Sequence, residues 1–470
     1  MEMIIDGKGV SGEKIFTVRN PFNGDEVDRV PLAGRSDVER AIKAAHRARD
    51  AMADLSARKI SEKLYDVADE LKTELDEFAR LITLESGKPI RFSRDEVKRS
   101  VETARLCAEE AGRLYGESIP MDAGIGGKGL TGFTVRIPLG VVAAITPFNY
   151  PLNLAIHKVG PALAAGNTTI LKPSLEAPLS ALKLAWILSE HFPPGAVNAV
   201  TGRGSEVGDV IIDSPLVDKI TFTGSVEVGR YISARASMKK VTLELGGNDP
   251  LIVMDDADID SAVEATVRGS YLYSGQVCIA VKRMIVHEDV ADEFADKLVN
   301  RTGSLRAGDP MDVRTDVGPL INEDAAIEVE RIIGAAVEDG AELLCGGSRR
   351  GNFVEPTVLD HVVPGMEVIE RETFGPVSPI IRFTGADEAI RIANGTCYAL
   401  QAGVFTENIR TALRMAREIE AGTVLVNKQS TFRVDHMPFG GFRCSGMGKE
   451  GVKYAIRDMT RTKMIVLNEN

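Results

Sequence analysis

Cysteine is scarce in this sequence, and its spacing argues against two classes of protein. The 470 residues include five cysteines, an odd number, and no two of them stand as C-x-x-C. A disulfide framework and a thiolate zinc site are therefore not expected, and we predict no metal site. Free thiols favour a cytoplasmic setting.

Long apolar runs and basic clusters are also lacking. No stretch approaches the roughly 18 consecutive apolar residues of a membrane span. The N-terminal MEMIIDGKGVSGEK lacks the basic-then-apolar order of a secretory signal. With a net charge of −12 and no basic stripe, the chain is not expected to bind nucleic acid. We therefore expect neither a membrane nor a nucleic acid as partner.

The sequence does contain enough apolar material for more than one core. It is 44% hydrophobic and 26% charged, which predicts a soluble globular protein of two or three structural units. Near the N-terminus, SDVE at 36–39 predicts a capping box with Ser36 as N-cap. One apolar helix face ending at Gly87 is predicted by Leu64, Ala68, Leu71, Leu75, Phe78 and Ile82.

Between residues 140 and 247, short apolar runs alternate with helical stretches. The strand candidates are GVVAAITPF, NTTILKP, GAVNAVTG, DKITFTG and KKVTLELGG. This alternation predicts a parallel sheet with helices on both faces, which places ligands at the carboxyl ends of the strands. A second alternating region follows residue 248, and the glycine-rich segment 120–132 is expected to link or decorate the domains.

Two glycine-containing segments could bind a dinucleotide, and only one has the required context. GIGGKG at 124–129 matches G-x-G-x-x-G, but no strand precedes it and no helix follows, so we reject it. In TFTGSVEVG, a strand leads to Gly224 and Ser225, which open a helix containing Gly229. Free N–H groups at such a helix start suit a pyrophosphate, although an ordinary strand–helix turn explains the segment equally well.

Four side chains at strand ends or in apolar surroundings are candidates for binding or catalysis. Each of them also has a purely structural interpretation. Lys172 in ILKPS ends a strand but could be a solvated surface lysine. Glu244 in LELGG could be a buried general base or an ion-paired or capping glutamate. Asn149 in PFNYP could stabilise an oxyanion or simply form a turn. Cys278 in YSGQVCIAVKR is either core filler or a nucleophile.

Taken together, these segments resemble the aldehyde dehydrogenase superfamily over nearly the whole chain. The order and spacing of PFNYP, ILKPS, FTGSVEVG, LELGGNDP, GQVC, ETFGP and MPFGGFRCSGMGKEG carry the resemblance. It implies an α/β fold with a Rossmann-like cofactor domain (1–119 and 139–245) and an α/β catalytic domain (246–440). A small β oligomerisation element (120–138 and 441–470) would join subunits in a homodimer or homotetramer.

The resemblance also implies a role for each matching residue. Cys278 matches the nucleophile that forms a thiohemiacetal and then a thioester, and Glu244 matches the base that activates the deacylating water. Asn149, with the backbone N–H of Cys278, matches the oxyanion hole. The matching cofactor contacts are Lys172 and Ser174 at the adenosine ribose, Gly224, Ser225 and Gly229 near the pyrophosphate, and Glu372 and Phe374 at the nicotinamide end.

Two positions depart from the family pattern. Leu175 stands where NAD-preferring members usually carry a glutamate, three residues after the lysine. That glutamate would bond the ribose 2′-OH and repel a 2′-phosphate, so its absence lets Lys172 and Ser174 accept NADP. We therefore expect NADP to be used, alone or together with NAD. Phe148 replaces the commoner tryptophan of Pro-Trp-Asn and changes bulk rather than chemistry.

Within the family, FRVDHMPFGG and GQVCIAVKR look most like archaeal lactaldehyde dehydrogenases and non-phosphorylating glyceraldehyde-3-phosphate dehydrogenases. The expected substrate is lactaldehyde or glyceraldehyde, with glyceraldehyde 3-phosphate and succinic semialdehyde as alternatives. Arg433 is expected to hold a hydroxyl or anionic tail. His157 and Arg283 are weaker candidates that could equally form structural ion pairs. Val277 replaces an arginine common in relatives that bind phosphorylated aldehydes, which favours an uncharged substrate.

Three further functions stay open at this point. A thiol hydrolase would need no nicotinamide and would pair Cys278 with one of three histidines: His157, His287 or His436. A coenzyme A-acylating dehydrogenase typically lacks the general-base glutamate, so Glu244 argues against it. A non-catalytic binding protein would have no need for Cys278, Glu244 and Asn149 together.

Overall fold

The computed structural model describes residues 1–469, and its largest element is an eight-stranded sheet, called here the first sheet. Its five central strands run parallel. In spatial order the strands are Lys8–Val10, Met3–Ile5, Val197–Ala199, Thr168–Lys172, Val141–Ile145, Lys219–Thr223, Lys240–Glu244 and Gly446–Met447. The parallel sheet predicted between residues 140 and 247 is confirmed, because each of the five predicted segments contributes one parallel strand.

Apolar side chains cover both faces of the first sheet, as the continuous apolar strands require. Along one strand, Val142 and Ala144 join one buried cluster while Val141 and Ala143 join another. The two clusters therefore lie on opposite faces, because successive strand residues point to opposite sides.

The strand order reverses at Val141–Ile145. From this strand the chain moves outward to Thr168–Lys172 and Val197–Ala199, and then returns to the other side with Lys219–Thr223. Ligands of open parallel sheets bind where the order reverses, outside the carboxyl ends of the strands. The segments that follow Ile145 and Thr223 therefore border the expected ligand crevice.

Two further sheets complete the framework. The second sheet has seven strands in the order Glu342–Cys345, Thr357–Asp360, Val377–Phe383, Val281–His287, Asp249–Val253, Gln401–Phe405 and Thr423–Val426. The third sheet has the order Thr460–Asn468, Leu130–Pro138 and Ser118–Ile119. Three strand pairs stand apart: Lys14–Arg19 with Glu26–Leu32, Arg349–Arg350 with Phe353–Val354, and Tyr398–Ala399 with Phe442–Arg443. The domain boundaries drawn from the sequence stay a prediction.

Helices pack between and around these sheets. Their bounds are Arg35–Arg47, Arg49–Ala53, Ala57–Thr73, Leu75–Ser86, Ile90–Ala111, Pro151–Ala164, Leu179–His191, Asp209–Asp213, Val226–Arg235, Ile259–Tyr271, Glu288–Gly303, Glu323–Glu338, Glu367–Glu370, Ala386–Ala393, Ile409–Glu418 and Val452–Asp458. Short turns of tighter or wider helix lie at Met121–Ala123, Gly204–Gly208 and Leu272–Gly275. Between residues 1 and 469, no helix combines the length and the apolar character that a membrane crossing needs.

Two helix predictions need correction. The first helix starts two residues earlier than the Ser36 cap implies, because the Asp37 carboxylate accepts the backbone N–H of Gly34 at 2.9 Å. The predicted single apolar helix face is divided at Glu74, whose φ of −95° and ψ of 20° separate two helices. Gly87 ends the second of them in the left-handed conformation (φ 72°), as predicted.

Candidate active site

A tight turn presents Cys278 between the helix Ile259–Tyr271 and the strand Val281–His287 of the second sheet. Three consecutive residues of this turn are left-handed, with φ of 49° at Tyr273, 56° at Ser274 and 74° at Gly275. The Tyr273 hydroxyl donates to the Ser86 carbonyl at 2.7 Å, and the Ser274 hydroxyl donates to that of Gly318 at 2.8 Å. Strained backbone held by surrounding bonds often marks a functional site.

Cys278 opens onto a cavity of about 370 Å³. The residues lining it come from strand ends of the first sheet, from helices and from loops, and include Asn149, Glu244, Val277, Cys278, Arg433 and Glu450. The cavity therefore collects three distant residues of the sequence prediction, Asn149, Glu244 and Cys278. Among the residues described, none of those lining the cavity is a histidine, so a cysteine–histidine hydrolase has no base in place.

The thiol of Cys278 is neutral at rest. The surrounding protein shields it from water, which raises the pKa of Cys278 to about 12, although the nearby Lys282 ammonium acts in the opposite direction. Lys282 Nζ donates to the Val277 carbonyl at 2.9 Å and pairs with the Glu372 carboxylate at 3.0 Å. Nucleophilic attack therefore requires that the thiol lose its proton to a base during the reaction.

Asn149 is fixed against the loop that carries Cys278. It lies just past the strand Val141–Ile145, where the strand order of the first sheet reverses, and is buried. Its side-chain Nδ2 donates to the Gln276 carbonyl at 3.0 Å, while its Oδ1 accepts the N–H of Tyr150 at 3.1 Å. The amide is therefore oriented beside the nucleophile, where a donor could meet a developing oxyanion.

Glu244 is a buried carboxyl at the end of the strand Lys240–Glu244. Neither carboxyl oxygen has a hydrogen-bond partner within residues 1–469. Burial, and then the negative charge of Glu450, raises the pKa of Glu244 well above its ordinary value. The chain passes very close at Gly440, where a Cβ would lie 2.7 Å from Glu244 Oε1. A carboxyl with a raised pKa is a stronger base than an ordinary glutamate, which suits proton transfer in a reaction.

The sequence interpretation missed a second carboxylate in the cavity wall, Glu450. Its Oε1 pairs with Lys158 Nζ at 2.6 Å, and both side chains are almost completely buried. Burial alone would raise its pKa, but the charges of Lys158 and Arg433 prevail and lower the pKa of Glu450 to about 2. A signal was present, because Lys158 is the one charged residue in the otherwise buried helix Pro151–Ala164.

The residues matched to the cofactor lie along the crevice at the carboxyl ends of the first sheet. Ser225 caps the helix Val226–Arg235 by accepting the Val228 N–H at 3.3 Å, and the Gly224 N–H donates to the Glu244 carbonyl at 3.1 Å. Gly229 lies against Leu245, where a Cβ would approach to 2.5 Å. The backbone at the start of this helix is therefore closely packed, and its free N–H groups suit a pyrophosphate.

Lys172 also fits a dinucleotide. Its side chain is buried at the end of the strand Thr168–Lys172, and the one hydrogen bond of its Nζ within the described chain goes to the Pro173 carbonyl at 3.3 Å. Burial lowers the pKa of Lys172 to about 8. Ser174 and Leu175 follow, both half-buried. A buried ammonium without a carboxylate partner suits a ligand oxygen or phosphate.

The other end of the crevice is built around Glu372 and Phe374. The Glu372 carboxylate accepts the Gly247 N–H at 3.4 Å and lies so close to Gly246 that a Cβ there would come within 2.0 Å of it. Phe374 packs edge-to-face against Phe148, with ring centres 6.0 Å apart and an angle of 84°. This arrangement places a carboxylate and an aromatic wall beside the Cys278 loop, in agreement with a nicotinamide ribose and ring.

Of the three predicted substrate contacts, one lines the cavity. The Arg433 side chain is 6% exposed, lies 3.8 Å from the Phe439 ring centre and approaches Glu450 at 3.6 Å. Its Nε has no hydrogen-bond partner within residues 1–469. Arg433 therefore has an unused donor at the cavity.

His157 and Arg283 lie elsewhere, and their structural alternatives describe them better. His157 Nε2 bonds the Asp435 carboxylate at 2.9 Å behind the cavity wall. Arg283 donates at 2.7–3.0 Å to the carbonyls of Asn248, Ile392 and Ala393. Neither residue lines the cavity, so these contacts agree with the structural alternative, and a substrate role for either residue stays a prediction.

Metal ligands are not clustered in the part of the chain described. Across residues 1–469, no group of three or more His, Cys, Asp or Glu side chains is placed to hold a metal ion. The groups at the cavity that match the sequence prediction are the Cys278 thiol, the Glu244 carboxyl, the Asn149 amide and the Arg433 guanidinium.

Comparison with known proteins gives a consistent result. Residues 8–465 match the model of the aldehyde dehydrogenase family. A lactaldehyde dehydrogenase of Methanococcus maripaludis is 42% identical over 473 residues, covering 99% of this chain and 100% of its own. A 3-sulfolactaldehyde dehydrogenase of Priestia aryabhattai is 42% identical over 468 residues, covering 99% and 98%.

Solved structures agree with these relatives. The NADP complex of a glyceraldehyde-3-phosphate dehydrogenase from Methanocaldococcus jannaschii superposes with a TM-score of 0.93 at 41% identity, covering 96% of this chain and 99% of that one. The resemblance, the fold class and the nicotinamide cofactor predicted from the sequence are thereby confirmed. This chain belongs to the aldehyde dehydrogenase family and is an NAD(P)-dependent enzyme that oxidises aldehydes.

Proposed function

We propose that this enzyme oxidises a small 2-hydroxyaldehyde to its acid, with lactaldehyde as the preferred candidate, and that Cys278 is the nucleophile. The observation that carries the proposal is the meeting of Cys278, Asn149 and Glu244 at one shielded cavity. Cys278 Sγ attacks the aldehyde carbon, and the Asn149 amide with the Cys278 N–H stabilises the oxyanion. A bound nicotinamide supplies the acceptor for the hydride that leaves this carbon.

Hydrolysis of the resulting thioester falls to Glu244. Its raised pKa allows the carboxyl to take a proton from water, and the Cys278 thiol leaves as the acid is released. Lysine and arginine keep the neighbouring Glu450 ionised, and its negative charge favours a proton on Glu244. The intact Glu244 also argues against a transfer of the acyl group to coenzyme A.

Lactaldehyde is supported by a relative and by two residues that line the cavity. The Methanococcus maripaludis relative is named for this activity. Val277 is buried beside the nucleophile and offers no charge to a phosphate. The free Nε of Arg433 can donate to the 2-hydroxyl of a bound hydroxyaldehyde.

An anionic hydroxyaldehyde is the second candidate, and two cations at the cavity favour it. Arg268 and Lys428 line the cavity, are exposed, and make no ion pair or hydrogen bond within residues 1–469. Unpaired cations at a cavity attract an anionic tail such as a sulfonate or phosphate. The Priestia relative is named for such a substrate.

An aldehyde panel with the purified enzyme separates the candidates. It includes lactaldehyde, glyceraldehyde, 3-sulfolactaldehyde, glyceraldehyde 3-phosphate, succinic semialdehyde and propanal, each with NADP and with NAD. We expect the highest kcat/KM for lactaldehyde, and Arg433→Met should raise its KM without changing the cofactor KM. Arg268→Met and Lys428→Met serve as matched controls that affect only anionic aldehydes. A preference for propanal over every hydroxyaldehyde would contradict the proposal.

We further infer that NADP is accepted and that the enzyme is a homodimer or homotetramer in the cytoplasm. Leu175 supports NADP use, because it lacks the carboxylate that would repel a 2′-phosphate. The long strand Thr460–Asn468 of the third sheet supports assembly, because three of its apolar residues lie at the surface. Met464, Val466 and Leu467 are 41%, 48% and 52% exposed. Sedimentation equilibrium at micromolar concentration tests the assembly, and a monomer would contradict it.

A further inference from the structure

Two cysteines that the proposed reaction does not use face each other across a short strand pair. Tyr398 pairs with Arg443 and Ala399 pairs with Phe442 in antiparallel register. Continuing this register by one residue brings Cys397 opposite Cys444, and the Cys444 N–H donates to the Cys397 carbonyl at 3.1 Å. We call Cys397 and Cys444 the thiol pair.

The backbone geometry of the thiol pair suits a disulfide. Directly opposed residues that share backbone hydrogen bonds in an antiparallel pair have Cα atoms about 5.5 Å apart. That separation falls in the usual range of disulfides, roughly 4.4–6.8 Å. The side chains also interact: burial, followed by the contact with the Cys444 thiol, raises the pKa of Cys397 to about 11.

The two sulfurs are accessible and electrostatically different. Cys397 is exposed and Cys444 is half-buried. Arg230, on the helix Val226–Arg235, donates from Nη2 to Cys444 Sγ at 3.0 Å. This contact holds the Cys444 sulfur in place beside Cys397. Cys107, in contrast, is fully buried.

We propose that the thiol pair is a redox-active site that closes to a disulfide with a peroxide and slows the enzyme while closed. The Cys444 thiolate attacks one oxygen of hydrogen peroxide, the O–O bond breaks, and a sulfenic acid and hydroxide form. The Cys397 sulfur then attacks the sulfenic sulfur, an S–S bond forms, and water leaves. Two thiols are oxidised, one peroxide is reduced to two waters, and a dithiol reductant reverses the change.

The thiol pair is connected to the active site through the next two residues. The Ser445 hydroxyl accepts the Ala399 N–H at 2.9 Å, and the Ser445 carbonyl accepts the Leu245 N–H at 3.0 Å. Gly446 pairs directly with Glu244. Closing the disulfide needs no large backbone movement, but it draws the two cysteine side chains together and tightens the segment 444–446. We expect Glu244 to shift with this segment, because the strand end that holds Glu244 is bonded to it.

The consequence for the rate rests on the proposed role of Glu244, whereas the formation of the disulfide does not. Displacing a catalytic group by about an ångström can cost up to about a hundredfold in rate. We therefore expect the oxidised enzyme to be about tenfold slower, with hydrolysis of the thioester affected most.

Thiol counting tests the chemistry. The intact enzyme is treated with hydrogen peroxide, denatured and titrated with a thiol reagent, and its peptides are mapped without reduction. We expect the five free thiols to fall by two and a peptide that links residues 397 and 444. In Cys345→Ser, a matched control with a half-buried cysteine elsewhere, the same linked peptide should form. An unchanged count, or a link through Cys278, would overturn the proposal.

Activity tests the consequence. Peroxide should slow the wild-type enzyme and Cys345→Ser, and dithiothreitol should restore both. Cys397→Ser and Cys444→Ser should no longer show the loss of rate that dithiothreitol reverses. Agreement between the two variants would show that a folding defect in one of them is not the cause. Equal reversible loss in all four proteins would assign the effect to Cys278 and overturn the inference, as would a disulfide without any change in rate. If no aldehyde is oxidised at all, the proposed function fails while the thiol count still decides the disulfide.

Discussion

At the scale of single residues, two of the carboxyl groups that line the cavity, Glu244 and Glu450, have pKa values shifted in opposite directions. Glu244 has a raised pKa because it is buried without a partner, whereas Lys158 and Arg433 hold the pKa of Glu450 low. When the surroundings raise the pKa of one carboxyl group and lower that of another, the first can exchange a proton while the second stays ionised. We therefore assign the mobile proton to Glu244 and a fixed negative charge to Glu450.

Replacing Glu244 by glutamine should separate the two halves of the reaction. Glu244→Gln keeps the volume but cannot accept a proton, so kcat should fall by about 10²–10⁴-fold. The first turnover should still release about one equivalent of reduced cofactor as a burst, because acylation precedes the step that is lost. Stopped-flow absorbance measures both. Glu190→Gln, on the exposed end of the helix Leu179–His191, is the control, and a variant without any burst would contradict the assignment.

The buried ammonium of Lys172 predicts a pH dependence that differs between the two cofactors. Its pKa is lowered to about 8, so the side chain is positively charged below this pH and loses its charge above it. From about pH 7 to about pH 9, kcat/KM for NADP should fall by up to about tenfold relative to NAD, because the 2′-phosphate loses a cation. Lys172→Met should abolish this difference, and an NADP/NAD ratio independent of pH in the wild-type enzyme would refute the contact.

At the scale of secondary-structure elements, the helix Arg35–Arg47 offers a test of its start. Asp37→Ala removes the carboxylate that accepts the Gly34 N–H and should cost about 0.3–1.5 kcal/mol. Ser36 is exposed and does not cap the helix, so Ser36→Ala should leave stability unchanged. Urea unfolding followed by circular dichroism compares the two variants. A larger loss of unfolding free energy for Ser36→Ala would favour the capping box predicted from the sequence, with Ser36 as N-cap.

The secondary-structure elements also show which structural features can be recognised from a local sequence pattern and which cannot. Buried parallel strands are short apolar runs, so all five central strands of the first sheet could be found from the sequence. The break at Glu74 could not, because the apolar spacing continues across it and the non-helical backbone is confined to this single residue. The edge strand Gly446–Met447 was missed for another reason: it pairs with a strand about two hundred positions away and has no apolar period of its own.

The same distinction applies to the site. Asn149, Glu244 and Cys278 stand in recognisable motifs, so their meeting could be predicted. Glu450 stood within a quoted motif without a stated role, and its importance follows from Lys158, which no spacing connects to it. His157 and Arg283 lie outside the cavity wall, and a sequence does not reveal that Asp435 and backbone carbonyls engage them.

At the scale of the whole molecule, the ion pair between Lys158 and Glu450 fastens the segment after residue 434 to the helix Pro151–Ala164. Removing one partner of a fully buried pair leaves an uncompensated charge, which typically costs about 3–5 kcal/mol. Lys158→Met should therefore lower the melting temperature markedly, and Lys158→Met/Glu450→Gln should recover part of the loss. Lys98→Met, which breaks an exposed pair with Asp95, is the control. A double variant no more stable than the single one would contradict this account.

The segment after residue 434 is synthesised last, which has a consequence for folding during translation. Asp435 and Glu450 bind side chains on the helix Pro151–Ala164, and Gly446 pairs with a strand of the first sheet. These partners leave the ribosome long before them, and domains generally fold as they emerge. An unfinished chain can pair the five parallel strands of its first sheet, but it has neither Gly446 to pair with Glu244 nor Glu450 to place a charge beside it. The cell therefore acquires aldehyde-oxidising activity only from chains whose synthesis has passed this segment, and abandoned fragments stay inert.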